Sequence, residues 1–245
     1  MSDLLLFTGK LSVLILALSA IALGLLWLIQ RTQQMKESIE VTSLSDRFHL
    51  NASLLRMASA SKKERKSLRK EIENFEAKNQ KKPVAYVIDF KGDIKASEAE
   101  NLGEEVNAIL AATSEPTEIV LRLESTGGVV HGYGLAAAQI LRLRNAGHKV
   151  TICVDKVAAS GGYMMACVGH QILASPFAIL GSVGVIAQIP NFYRLLQKWD
   201  VDYREYTAGE FKRTVSLFGQ ITEKGEEKFK QQIEETHQLF KEFVH

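Results

Sequence analysis

The stretch "EIVLRLESTGGVVHGYGLAAAQILRLR" (residues 118–144) decides the fold. Its opening residues, Glu118–Leu123, are a short run of mostly apolar, β-favouring side chains, which reads as a buried strand. "ESTGG" then breaks the pattern with a glycine pair, and from Leu135 to Arg144 the apolar residues recur at helical spacing. A strand, a glycine turn and a helix in that order form half of a strand–helix–strand unit. Working outward, the same alternation repeats. Val84–Phe90 reads as a strand and Ser97–Ala112 as a helix. Downstream, strands are expected at Lys149–Val154, Ile172–Ala174, Val183–Ala187 and Val201–Tyr206, and helices at Phe192–Lys198 and Glu223–Phe243, with a short one after Ser160. Strands alternating with helices predict an α/β domain with mostly parallel pairing.

Pro83 opens this domain, and what precedes it differs in composition. The run Leu11–Ile29 contains no charged residue. A bilayer-spanning helix needs about 20 apolar residues, so this run is long enough. It ends in Trp27-Leu28-Ile29-Gln30-Arg31, which offers no small-residue cleavage site, and an uncleaved anchor is expected over 1–30. Residues 31–82 read as a charged stalk or linker: "SKKERKSLRKEIENFEAKNQKK" (61–82) is dense in Lys, Arg and Glu, with Leu68, Ile72 and Phe75 at helical spacing. Arg31, Lys36 and Arg47 follow the anchor and only Lys10 closely precedes it, a bias that favours a cytoplasmic domain.

A formal net charge of +2 in 245 residues makes no case for nucleic-acid binding. Two cysteines exclude a disulfide scaffold, leaving free thiols or a single Cys153–Cys167 bridge open. No His, Cys and carboxylate cluster has ligand spacing, so neither metal nor cofactor is expected.

Three glycine-rich turns follow strands: "STGG" (125–128), "SGG" (160–162) and "GSVG" (181–184). The phosphate-loop pattern is absent, and "GYG" (132–134) lacks the third glycine of a dinucleotide fingerprint. Acyl transfer fits better. It needs a nucleophile, a base and two backbone N–H donors aimed at one oxyanion. Ser160, in "KVAASGGYMMAC" (156–167), stands at a helix start among small residues. Gly161 supplies the N–H that follows it, and Gly127 or Gly128 a second one. Of the six histidines, His49 lies in the stalk, His237 and His245 on the terminal helix, and His131, His148 and His170 at element edges. With no G-x-S-x-G elbow either, a Ser-His-Asp triad is unsupported. Lys212 remains, in "TAGEFKRTVSLFG" (207–219), beside Phe211, Val215, Leu217 and Phe218. A lysine base must be neutral; at a pKa near 10.4 only about one in 2,500 is so at pH 7, a deficit of ~4.6 kcal/mol. Burial supplies the correction. Taken alone, each residue also admits a plainer reading: Ser160 as a tight N-cap, Lys212 as a solvated side chain.

Four segments, "RLESTGGVVHGYGLAAAQI", "VDKVAASGGYMMAC", "ASPFAILGSVGVIAQ" and "YTAGEFKRTVSLFG", come in the order and at about the spacing found in one family. The chain resembles the signal peptide peptidase A (protease IV) family, and within it the SohB branch of membrane-anchored serine proteases. The resemblance covers about residues 84–245. It implies a ClpP/crotonase-like fold of strand-strand-helix units over 83–245, and a Ser/Lys dyad. Ser160 is then the nucleophile, Lys212 the general base, and Gly161 with Gly127 or Gly128 the oxyanion hole. Ser182 in "GSVG" is placed to orient the lysine. The resemblance further implies a peptide or unfolded protein as substrate and a homo-oligomeric ring in which Lys212 serves a neighbour's Ser160. It also implies a bacterial inner-membrane location with the domain facing the periplasm, opposite to the charge bias.

Two departures stand out. Thr126 occupies the place of the family's usual proline before the glycine pair. The family also continues beyond the position of His245, so the domain is expected to lack its C-terminal part. Two rival readings share the fold: a catalytically silent membrane scaffold, and a crotonase-like acyl-CoA enzyme, for which Glu124 and Asp155 are poor acid/base substitutes.

Overall fold

The computed structural model describes residues 39–78 and 83–245, together with Gly24. Leu11–Ile29, Gly24 apart, lies outside the described residues, so the anchor expected there is not among them. Among the described residues no helix is long and apolar enough to cross a membrane. The chain divides into two compact units at Lys81/Lys82.

In the first unit two helices follow one another, α1 (Leu44–Ser59) and α2 (Lys62–Lys78). Ser43 caps α1 by accepting the Asp46 N–H at 3.2 Å. At the start of α2 the Ser61 N–H donates to Glu64 Oε2 at 2.7 Å, one arm of a capping box. The helix expected from Leu68, Ile72 and Phe75 is α2; α1, whose polar and apolar residues form no clear stripe, was not expected.

The second unit is built on six parallel strands: β1 (Ala85–Gly92), β2 (Glu118–Ser125), β3 (Lys149–Val154), β4 (Val157–Ala159), β5 (Gln171–Ala174) and β6 (Ile179–Gly181). Between them run α3 (Ala99–Ala112), α4 (Val130–Asn145) and α5 (Gly161–Cys167); α6 (Tyr193–Lys198) and α7 (Glu223–Val244) follow. The sheet is curled. β1 pairs β2 along its full length, while β2 pairs β3 only from Glu118 to Arg122. At Ser125 the end of β2 turns to a different partner, Ala158 of β4, and β4 in turn pairs β6. The sheet therefore splits at its carboxyl end into two leaves, hinged on β2.

The order β1-β2-β3-β5 advances in one direction, so right-handed crossovers keep the connecting helices on one face. Burial follows. Ile119, Leu121 and Leu123 of β2 and Val150, Ile152 and Val154 of β3 are at most 2% exposed. They meet Leu102, Val106 and Ile109 of α3 and Ala136, Ala137, Ile140 and Leu143 of α4 in one core. The opposite face carries Asp89, held by both nitrogens of a forked pair with Arg122, and Val87 and Lys91 beside it. Burial therefore alternates along β1 and β2 although polarity does not.

Two expected strands are corrected. Val183–Ala187 and Val201–Tyr206 form no strand, because no neighbouring segment offers them a ladder of hydrogen bonds; the strand of that region is Ile179–Gly181. β4 was not expected, since three residues, two of them alanine, carry no readable period. Of the two readings of the cysteines, the free thiols hold: Cys153 and Cys167 are unbridged and half-buried, and burial pushes both upward in pKa.

Candidate active site

Ser160 stands at the junction of β4 and α5, with φ 51° and ψ −119°. A non-glycine residue in this region costs on the order of 1–3 kcal/mol, so the surrounding structure must over-determine it. It does. The Ser160 N–H donates to the Gly181 carbonyl at 2.8 Å, and the Ser160 carbonyl accepts the Met164 N–H at 2.9 Å. The backbone is thus held on both sides. The hydroxyl makes no capping bond to α5, and the residue as a whole is half-buried. The sequence carries no G-x-S-x-G, yet the chain bends between strand and helix in the manner of a nucleophile elbow.

Glycines make the approach to Ser160 possible. At Gly127, φ +86°, a Cβ would lie 2.7 Å from the Ala159 carbonyl oxygen, the Gly161 nitrogen and Ser160 Cβ. The "STGG" turn therefore packs directly on the serine's backbone, as the glycine content suggested. Gly128 lies against the other strand end: its Cβ would sit 2.6 Å from the Ile94 carbonyl carbon, and the next N–H, of Val129, donates to Ile94 O at 2.9 Å.

The two glycine amides of the turn are not equivalent. The Gly127 N–H is spent, donating to Ser125 Oγ at 3.0 Å in a buried bond. Ser125 Oγ also contacts the Tyr133 hydroxyl, which donates to Asp93 O at 2.7 Å. Among the described residues neither Gly128 N–H nor Gly161 N–H has an acceptor within the chain. Gly128 is exposed and Gly161 buried against Tyr133. Ser125 and Tyr133 were not singled out in the sequence. A serine and a tyrosine eight residues apart, one on a strand and one on a helix, form no local motif. Tyr133 titrates above the usual tyrosine value, chiefly because burial disfavours the phenolate.

Ser182, with φ 57°, is exposed and follows the Gly181 that accepts the Ser160 N–H. The "GSVG" turn thus reaches the serine through its backbone; the Ser182 hydroxyl makes no hydrogen bond among the described residues.

Lys212 is placed differently. It is exposed, on a segment without helix or strand between residues 199 and 222, and its N–H donates to Gly209 O at 3.2 Å. Tyr203, Glu205, Tyr206, Thr207, Ala208 and Arg213 line an open depression with it. Arg213 pairs with Glu205 at 2.8 Å. The apolar enclosure expected from Phe211, Leu217 and Phe218 is not closed in the single chain, where all three are about 40% exposed. No hydrogen bond links the Lys212 amine to Ser160 or Ser182 within the chain. Among the described residues no three metal-ligating side chains converge.

The comparisons with known proteins agree with one another. The model of the peptidase family S49 N-terminal region matches residues 1–140, and that of peptidase family S49 matches residues 142–245. "Probable protease SohB" of Haemophilus influenzae is 47% identical over 250 residues, covering 96% of this chain and 70% of that protein. "Probable protease SohB" of Buchnera aphidicola subsp. Schlechtendalia chinensis is 55% identical over 167 residues, 68% of this chain and 55% of that protein. The chain thus spans between about half and 70% of the length of these relatives. Among solved structures, a 1510-N membrane-bound stomatin-specific protease aligns with 45% of this chain and 48% of its own at 23% identity and a TM-score of 0.35, too partial an overlap to argue from. With two consecutive family models across its length and relatives near half identity, the chain belongs to peptidase family S49, among its SohB-type members.

Proposed function

We propose that this chain is a membrane-anchored serine endopeptidase that cleaves peptides, such as signal-peptide remnants or unfolded segments, through a Ser160/Lys212 dyad. The observation that carries the reading is the strained Ser160 backbone at the β4–α5 junction, with a hydroxyl that makes no capping bond, the unspent Gly161 amide next to it and the glycine turn of Gly127 and Gly128 packed on its backbone. Strain of this kind persists where it serves a task. In the proposed reaction Ser160 Oγ attacks the scissile carbonyl carbon while the Lys212 amine takes the hydroxyl proton. The Gly161 and Gly128 amides hold the oxyanion. The carbon–nitrogen bond then breaks, and the lysine returns the proton to the leaving amine. Water, deprotonated by the same lysine, hydrolyses the acyl-enzyme. Gly127 is removed from the oxyanion pair because its N–H is bound to Ser125 Oγ. Ser182 acts from the turn that already holds the Ser160 backbone.

The base comes from a neighbouring copy in a homo-oligomeric ring. The exposed state of Lys212 in one chain supports this, as do the exposed Tyr206 in the same depression, at 87%, and further exposed apolar residues of the unit: Phe177 at 97%, Ile186 at 79% and Trp199 at 65%. A single soluble domain rarely leaves so much apolar surface uncovered. A neighbour seated there would desolvate the amine, as a lysine base requires. The uncharged run Leu11–Ile29 anchors the protein in the bacterial inner membrane, with residues 83–245 outside it in the periplasm and on the ClpP/crotonase-like plan that the two-leaved sheet suggests.

A fluorophosphonate probe with mass-spectrometric site mapping tests the chemistry. Labelling at Ser160, lost in Ser160→Ala and slowed in Lys212→Ala, is the expected outcome. Peptide cleavage without any label on Ser160 would overturn the reading, and absence of both would leave the silent scaffold as the better account.

A further inference from the structure

We propose that the buried Ser125–Tyr133 pair is a positioning strut for the site, holding the Gly127–Gly128 turn and the Gly161 amide in register on the two sides of Ser160. The inference rests on the serine-peptidase reading and adds to it two residues that do not touch the reacting atoms.

The direction of the hydrogen bonds follows from counting protons. The Tyr133 hydroxyl has one, and donates it to the Asp93 carbonyl at 2.7 Å. Its oxygen can then only accept from Ser125, so the Ser125 hydroxyl proton points at Tyr133. The free lone pairs of Ser125 Oγ take the Gly127 N–H at 3.0 Å. A single chain of donors thus runs from Gly127 through Ser125 and Tyr133 to Asp93, with every proton used. Ser125 is 2% exposed and Tyr133 0%, so no water substitutes for a missing member.

The packing shows what the strut holds. Gly161, which follows the nucleophile, lies flat against the Tyr133 ring, where any Cβ would overlap it. At Gly162 a Cβ would lie 2.7 Å from the Ser125 carbonyl oxygen. At Gly92 a Cβ would overlap the Tyr133 hydroxyl, so that glycine roofs the pair. Ser125 is also the residue at which β2 changes partner, facing Gly92 of β1 and Ala158 of β4. One phenol therefore touches the start of α5 with its ring and steers the glycine turn with its hydroxyl. The strut fixes the Gly127 N–H inward on Ser125, so of the turn's two glycine amides only that of Gly128 is left unspent, one residue from the backbone packed on Ser160 and Gly161. An oxyanion hole depends on donors already in place before the charge develops, so a loosened turn is read as rate.

The test is the second-order labelling rate of Ser160 and the kcat and KM for a peptide, per folded molecule of the full chain, in wild type, Tyr133→Phe, Ser125→Ala and the double variant. Expected is a loss of about 10- to 100-fold in both the labelling rate and kcat, less than the roughly 100- to 1000-fold cost of removing an oxyanion donor outright, since the donors are misplaced rather than lost. KM changes less than about twofold, because the substrate-binding surface is untouched. The double variant loses no more than the worse single, since both break one chain of bonds. A purely structural role would lower Tm but leave the rates per folded molecule unchanged. If Tyr133→Phe does not fold, Ser125→Ala, a smaller change, carries the same comparison. Rates within about twofold of wild type in folded variants overturn the strut alone. A wild-type protein that never labels at Ser160 overturns the peptidase reading, and the strut with it.

Discussion

Residues 118–167 and residues 199–222 contribute the two halves of the proposed dyad, and they are built on different principles. The first segment is a strand, helix, strand, strand and helix, with its side chains in the core and its serine held by backbone bonds on both sides. The second carries Lys212 on an exposed stretch without regular structure, with aromatic residues turned to solvent. The contrast teaches that the chain's own packing fixes the proposed nucleophile and the glycine turn beside it, while the proposed base lies exposed on irregular backbone. In the proposed reading a neighbouring copy supplies the contacts that complete the base.

The sharpest way to break that comparison is complementation. Ser160→Ala and Lys212→Ala are each expected to reduce peptide cleavage by about 10⁴-fold or more, some 5.5 kcal/mol of barrier. Mixed and co-assembled, they regain about a quarter of wild-type activity if each Lys212 serves the next subunit's Ser160, by random assortment around a closed ring. No recovery places both residues of a working dyad in one chain. Chemical denaturation of Lys212→Ala sharpens the same point. An exposed lysine contributes within about 0.5 kcal/mol to the fold, so stability stays while activity goes.

The core half responds in the opposite way. Leu121→Ala, at a core position 1% exposed, is expected to lower unfolding free energy by about 2–5 kcal/mol. A loss near zero would mean that the nucleophile half is less tightly packed than described. Gly127→Ala is expected to cost about 1–3 kcal/mol through its positive φ, and to reduce Ser160 labelling as well, since its Cβ meets the serine's own backbone. Unchanged labelling would separate the turn from the site. Smallest is Arg122→Ala on the uncovered sheet face. Its pair with Asp89 is exposed, at 51% and 64%, and contributes at most about 1 kcal/mol, less in high salt. A thermal melt across salt concentrations checks it.

Much of the fold was legible. Lys149–Val154 was placed to the residue, and Val84–Phe90, Glu118–Leu123 and Ser97–Ala112 to within two residues at every boundary. Each buries one face against one core, so the apolar run or helical spacing that marks it is written in its side chains. Val183–Ala187 and Val201–Tyr206 had an apolar pattern and formed no strand, because a strand needs a partner edge as well as a period. In the candidate site, Ser160, Gly161 and the glycine pair were singled out as small-residue turns after strands, and their roles came from the family resemblance. Ser125 and Tyr133 were not, because their hydrogen bond joins a strand end to a helix across the core.

Local chemistry therefore carried the α/β alternation, the serine among small residues and the membership of peptidase family S49, since all of these depend on residues close together in the chain. The curl of the sheet at Ser125, the positive φ of Ser160, the withdrawal of the Gly127 amide and the open setting of Lys212 emerged in three dimensions alone. Each of them depends on which distant backbone atom meets which, and a linear order of residues does not encode that meeting.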